Sequence, residues 1–110
     1  ALMDKDLGTD GIKKFMAAYE TEYGHPVENA FAALGYDSVY LMADAIKRAG
    51  STDANAIVKA IKETKGFAGI TGSITFGDSN VPQKGVTVIK IDGGKFTLAG
   101  EIVPEKGPAP

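Results

Sequence analysis

The feature that most constrains this chain is a change of hydrophobic period close to Lys65-Gly66. Before that point apolar residues recur at spacings of three and four, the helical repeat; after it they alternate, the strand repeat. A first helix is expected over 10–24, where Ile12, Phe15, Met16, Tyr19 and Tyr23 share one face. Thr9 or Asp10 can cap it by accepting free amides, and Gly24 followed by Pro26 stops it. A second helix is expected over 29–49, with Phe31, Leu34, Val39, Leu41, Met42, Ala45 and Ile46 covering more than one stripe. Such a helix is expected to be buried on most sides, between a sheet and other helices. Asp44 can pair with Lys47 or Arg48, and Gly50 ends the element. Ser51-Thr52-Asp53 caps a third helix over 53–65, which carries Ala54, Ile57, Val58 and Ile61 on a narrower apolar face.

Alternation then marks a strand over 70–76, with Ile70, Gly72, Ile74 and Phe76 against Thr71, Ser73 and Thr75. Gly77-Asp78-Ser79-Asn80 reads as a turn, and Pro82 keeps the following segment out of a sheet interior. Val86 to Ile91 is a β-branched run broken only by Lys90, and Lys95 to Leu98 returns as its partner. Between them Asp92-Gly93-Gly94 is a hairpin turn, because glycine supplies positive φ angles. From Pro104 the chain is expected to form a loose tail over 104–110.

A length of 110 residues suits one compact domain, and 44% apolar with 24% charged residues excludes wholesale disorder. The formal net charge of −2 provides no excess of cations to neutralise phosphates, so nucleic acid is not an expected partner. With no cysteine, disulfides and thiolate metal sites are excluded. No apolar run reaches the roughly 20 residues of a membrane span. Ala1 to Asp10 lacks the basic start and apolar stretch of a signal peptide, as expected of a mature chain or one that begins within a longer protein.

Catalytic chemistry has little to stand on. His25 is the only histidine and, between Gly24 and Pro26, reads as an exposed turn residue; neither a triad nor a multi-imidazole metal site can be built on it. The glycines from Gly66 to Gly72 precede a strand, whereas phosphate-binding glycine loops follow a strand and open a helix. Asp37 stands in the apolar part of the second helix, where it can cap, pair with a basic group from elsewhere, or touch a ligand; structural pairing is the expected use. Asp4 and Asp6 have no evident partner, and no general acid/base pair is visible. The chain is therefore not expected to be an enzyme, and no cofactor is implied.

Four segments, in order, resemble a known family. Ala32-Ala33-Leu34-Gly35-Tyr36-Asp37-Ser38-Val39-Tyr40-Leu41, continuing through Ala45 to Ser51, resembles the C-terminal region of type I periplasmic binding proteins, the branched-chain amino acid receptors of ABC transporters. Phe15 to Tyr19 with Tyr23-Gly24 resembles the helix before it, and Phe67 to Phe76 resembles the family's Gly-x-x-Gly-x-x-x-Phe segment. Val86 to Ile91 with Asp92 to Phe96 resembles its closing hairpin, while the turn after Phe76 departs from the family pattern. The resemblance implies an α/β fold, part of a two-lobed Rossmann-like periplasmic-binding-protein architecture.

On that resemblance residues 1–83 would be the C-terminal part of the first lobe, and 84–103 a hinge crossing with a hairpin of the second lobe. Phe31 would flank the side chain of a ligand, with Asn29 and Ala32 beside it; plain core packing of Phe31 is the competing reading. The implied partners are a branched-chain or other amino acid or small organic acid, a membrane permease, and the complementary N-terminal portion of the same protein. The implied location is periplasmic or extracellular. The alternative is a self-contained interaction module without catalysis. A receptor portion leaves its hairpin without a lobe to pack on and exposes apolar surface; a self-contained module does not.

Overall fold

The computed structural model describes residues 2–105, so the tail expected over 104–110 lies mostly outside the described residues. Three helices come first: α1 (Asp10–Tyr23), α2 (Ala30–Ala49) and α3 (Ala54–Lys62). Five strands follow: β1 (Phe67–Gly69), β2 (Gly72–Thr75), β3 (Gln83–Lys84), β4 (Val86–Asp92) and β5 (Lys95–Ile102). They form a three-stranded antiparallel sheet in the order β1-β2-β3 and a separate two-stranded hairpin, β4-β5.

The helix starts follow local chemistry. Thr9, Asn29 and Asp53 are the N-caps, their side-chain oxygens accepting from the amides of Ile12, Phe31 and Ala56 respectively. Gly24 and Gly50 close α1 and α2 in the left-handed conformation, with φ of 74° and 62°. Helix α3 ends at Lys62, three residues before the expected 65. The Thr64 hydroxyl donates to the Ala60 carbonyl at 3.1 Å and the Thr64 amide to Ile61 at 3.0 Å, a tightening that ends the regular ladder. Arg48 of α2 completes this end, donating to the Ala60 carbonyl at 2.8 Å and the Thr64 hydroxyl at 2.7 Å, while its Nε pairs with Asp44 at 2.8 Å.

The strand expected over 70–76 is instead the second half of a tight hairpin. β1 pairs with β2 from Phe67↔Ile74 to Gly69↔Gly72, leaving Ile70 and Thr71 as the turn. Alternation cannot distinguish one strand from a turn followed by a strand, and what decides here is distant in sequence. Asp37, buried in α2, accepts the Ile70 amide on Oδ1 at 2.8 Å and the Thr71 amide on Oδ2 at 2.9 Å, and the Thr71 hydroxyl also donates to Oδ2. Those turn amides point at a carboxylate and not along a ladder. β3 adds to the free edge of β2 through Ile74↔Lys84 and Thr75↔Gln83, an edge position compatible with Pro82 just before it.

Hairpin β4-β5 turns at Gly93 and Gly94, whose φ values of 57° and 78° are those a type I′ turn demands. Its register runs from Asp92↔Lys95 to Val86↔Ile102, with a bulge where Val88 faces Gly100 and Ile89 faces Leu98. Asp4 also finds partners, contrary to expectation. Its Oδ1 accepts the Asp6 and Leu7 amides at 2.7 and 2.8 Å, and these bonds hold its carboxyl below the usual carboxylate range.

The buried apolar core is small: Ile12, Ala33, Ala45, Ala60 and Ile74. Helix α2 is not buried on most sides. Only α3 and β1 pack extensively on it, and Phe31, Leu34, Val39 and Met42 remain exposed. Of the set read as core from its periodicity, Ala45 is buried and Leu41 and Ile46 are half-buried, while the other four residues are apolar but uncovered within this chain.

The Asp37 contact dictates a residue choice. A Cβ on Gly69 would stand 2.6 Å from Asp37 Oδ2 and 2.8 Å from its Cγ, closer than atoms can approach. Gly69→Ala is therefore expected to displace the carboxylate and to destabilise the fold by about 2–4 kcal/mol. A lowered denaturation midpoint with unchanged slope is the measurement that checks it.

Candidate functional site

The start of α2 carries the residues singled out from the sequence. Asn29 has extended backbone geometry, and its Oδ1 accepts the Phe31 amide at 3.0 Å, so its side chain is occupied as the cap. The cap fixes the first turn and with it the position of Phe31. Phe31 is 77% exposed, which removes plain core packing within this chain as its use. Ala32 is half-buried on the neighbouring face, and Ala33 is fully buried. The three residues are thus adjacent; Asn29 and Phe31 are exposed, and of the two only Phe31 presents a large apolar group to solvent.

A run of rings joins α1 to α2. Phe15 of α1 meets Tyr36 of α2 edge-on with centroids 5.2 Å apart, and Tyr36 in turn neighbours Tyr40 at 4.7 Å. Along α1, Tyr19 sits 6.0 Å from Phe15 and 4.6 Å from Tyr23, and His25 lies against Tyr19 at 5.7 Å. Of these aromatics, expected to be core, Phe15 and Tyr19 are only half-buried and Tyr23 is 62% exposed. His25 is exposed, as its loop position suggested, and its Nδ1 lies 3.0 Å from the Pro26 carbonyl.

A half-open cavity of about 610 Å³ lies elsewhere, between the N-terminal segment, the β1-β2 turn and the hairpin. Leu7, Ile12, Ile70, Leu98 and Val103 give it apolar walls, and Gln83 and Glu101 add polar groups. Asn29, Phe31 and Ala32 do not line it. Among the described residues no group of three or more histidine, cysteine or acidic side chains is placed to hold a metal ion. Among the described residues no helix is long and apolar enough to cross a membrane.

Asp37 is the group whose role sequence reading left open. Its carboxylate touches no open surface, being 3% exposed, and joins α2 to the β1-β2 turn. Lys84 was not singled out, although it belongs to the same cluster: its Nζ donates to the Thr71 hydroxyl that bonds Asp37. No local pattern marks a lysine that far along the chain as a partner of Asp37. The only sequence signal was the glycine spacing, which leaves room for the carboxylate at Gly69.

Burial pulls the Lys84 ammonium below its usual pKa, and the negative charge of Asp37 opposes that shift. Just below the ordinary lysine value of 10.5 the folded chain then binds fewer protons at this site than the unfolded chain. Stability accordingly rises as pH climbs through that window. Lys84→Met is expected to lose this increment, read as the difference between the two chains' denaturation midpoints across the alkaline range. Asp37→Asn removes the charge and one acceptor from a buried site and is expected to cost about 2–4 kcal/mol. Asp44→Asn, which breaks only an exposed pair, is expected to cost about 0–1 kcal/mol in the same denaturation assay.

Comparison with known proteins places this geometry. The sequence profile of a family described as periplasmic binding protein matches residues 2–95. A leucine binding protein from Thermotoga maritima is 34% identical; its structure aligns with a TM-score of 0.70 over 92% of this chain and 29% of its own. A branched-chain amino acid transporter substrate binding protein from Streptococcus pneumoniae, solved with isoleucine, is 31% identical, with a TM-score of 0.67 over 88% of this chain and 26% of its own. A solute binding protein of an ABC transporter from R. palustris, solved with benzoate, shares the fold at 23% identity and a TM-score of 0.71, covering 94% of this chain and 29% of its own. No curated protein matches the chain. The chain thus spans less than a third of the length of these structures.

Proposed function

The chain belongs to the periplasmic binding protein family, and from that premise we propose that it is part of an extracytoplasmic receptor that captures an amino acid or similar small carboxylate and delivers it to an ABC transporter permease. The observation that carries this reading is Phe31. A large aromatic ring stands 77% exposed in the first turn of a helix whose start is fixed by the Asn29 cap. Presentation of an apolar ring from a fixed helix start suits recognition of an aliphatic side chain, because the backbone that carries the ring is already in place before the ligand arrives. The two relatives above 30% identity support the ligand class: one is a leucine binding protein, the other was solved with isoleucine.

The complementary N-terminal portion of the same polypeptide is the partner proposed for the uncovered apolar surface. That surface has two parts. One is the α2 face with Leu34, Val39 and Met42; the other is the hairpin with Ile91 69% exposed, Phe96 64%, Ile102 61% and Val103 68%. Exposure on this scale counts against a self-contained interaction module, which would cover most of it. In this reading the receptor works outside the cytoplasm, binds and releases without turnover, and draws the groups that hold the ligand's ammonium and carboxylate mainly from the complementary portion.

Calorimetric titration of the complete polypeptide with leucine, isoleucine, valine and small carboxylates tests the proposal. At least one is expected to bind, and Phe31→Ala is expected to weaken that binding by roughly tenfold or more, the loss typical of a buried aromatic contact. If none of them bound, the receptor reading would fall. Binding that survived Phe31→Ala unchanged would remove Phe31 from the site.

A further inference from the structure

Helix α3 keeps Ala60 buried and Ile57 and Ile61 half-buried, and leaves Val58, Lys59 and Lys62 exposed. Val58 and Lys59 lie four and three residues before Lys62, so the three side chains share one stripe of the helix. The stripe lines an open groove of about 550 Å³, together with Glu63, Lys65 and Asp78 from the loop after β2. Short bonds hold that loop to the end of α3. The Phe76 amide donates to the Thr64 carbonyl at 2.9 Å, the Gly66 amide to the Thr75 hydroxyl at 2.9 Å, and Lys65 Nζ to the Phe76 carbonyl at 2.7 Å. The groove is thus built before anything enters it.

The cations along it are not spent on the chain's own carboxylates. Among the described residues the ion pairs are Arg48–Asp44 and Lys90–Asp92, and Lys59, Lys62 and Lys65 take part in neither. The helix dipole favours cations in the last turn, where Lys59 and Lys62 stand. That explanation does not extend to Lys65, which lies beyond α3, or to Val58, which is 50% exposed beside them. The complementary portion of the polypeptide is proposed to cover apolar surface. Unpaired ammonium groups are costly to bury, so this face is the one left at the surface of the complete protein. We infer that the groove docks a protein segment with carboxylates around an apolar residue and, resting on the receptor reading proposed above, that the segment belongs to an extracytoplasmic loop of the permease.

Charge and shape select the occupant. Three ammonium groups around an exposed apolar side chain complement carboxylates that flank an apolar side chain. An anionic membrane is the poorer fit. It presents negative charge to the whole face at once, Glu63 and Asp78 included, and a flat sheet does not enter a groove. A peptide segment suits both signs, because its side-chain carboxylates meet the lysines while its backbone amides donate to Glu63 and Asp78. The groove takes no part in holding the ligand: it lies on α3, and Phe31 does not line it.

The test measures association of the complete polypeptide with the permease of its own transporter, held in phosphatidylcholine nanodiscs, alongside calorimetric ligand binding of the same protein. Lys59→Glu combined with Lys62→Glu is expected to slow association by roughly tenfold or more at low ionic strength, and the gap is expected to close as salt rises. Lys13→Glu combined with Lys14→Glu makes the same charge change at exposed positions of α1 and is expected to leave association unchanged. Ligand affinity and circular dichroism are expected to be the same in all three proteins. Association unaltered by the α3 changes overturns the proposal, and so does an equal loss from the α1 changes, which marks an effect of net charge alone. Lysine-dependent binding to vesicles of phosphatidylglycerol and phosphatidylcholine, without permease, overturns it in favour of a membrane. The receptor reading fails by a different sign: no amino acid or small carboxylate binds in the calorimetric arm. Ligand binding with docking that ignores the lysines removes the α3 groove alone.

Discussion

One buried carboxylate organises this chain. Asp37 lies 33 and 34 residues from the amides it accepts, so it does what no local pattern can: it fixes a helix against a turn. An ionised group out of water is costly unless its oxygens are satisfied, and here two amides and a hydroxyl satisfy them. The requirement runs outward from there. Gly69 must lack a side chain, Thr71 must carry a hydroxyl, and Lys84 comes to rest against that hydroxyl. Arg48 performs a comparable service at the other end of α2, tying it to the last turn of α3. With a core of five buried apolar residues among those described, these polar ties carry much of the geometry.

Such a framework has a consequence for surfaces. The chain spans less than a third of its structural relatives, and apolar residues on α2 and the hairpin lie open to solvent. An interior organised by hydrogen bonds keeps α2 in place without needing its outer face covered. That face, with Phe31 at its start, is then available to a ligand or to the rest of the polypeptide. The hairpin is the opposite case: its own pairing is regular, but little attaches it to the helices.

The parts of the fold legible in the sequence are those set by near neighbours. Thr9 and Asp53 cap helices where a side-chain oxygen precedes an apolar periodic run, and Gly93-Gly94 turns a hairpin because both residues take positive φ. What was not legible depends on distant groups. Residues 70–76 alternate like one strand, yet Ile70 and Thr71 form a turn because their amides face Asp37. The apolar stripes of α2 look like core because periodicity reports apolarity, not coverage. At the candidate site, Asn29 was legible as a polar residue at a helix start, and its occupation by capping follows from that position. The exposure of Phe31 was not legible, since it turns on which elements reach that face.

The central claim is that this chain contributes one wall of a ligand cleft, with Phe31 on it. Its most direct test is the crystal structure of the complete polypeptide with a bound amino acid. The account predicts the Phe31 ring within about 4–4.5 Å of the ligand's side chain, the ordinary apolar contact distance. A ligand held elsewhere, with the Phe31 ring covered by another segment of the same polypeptide, would contradict it.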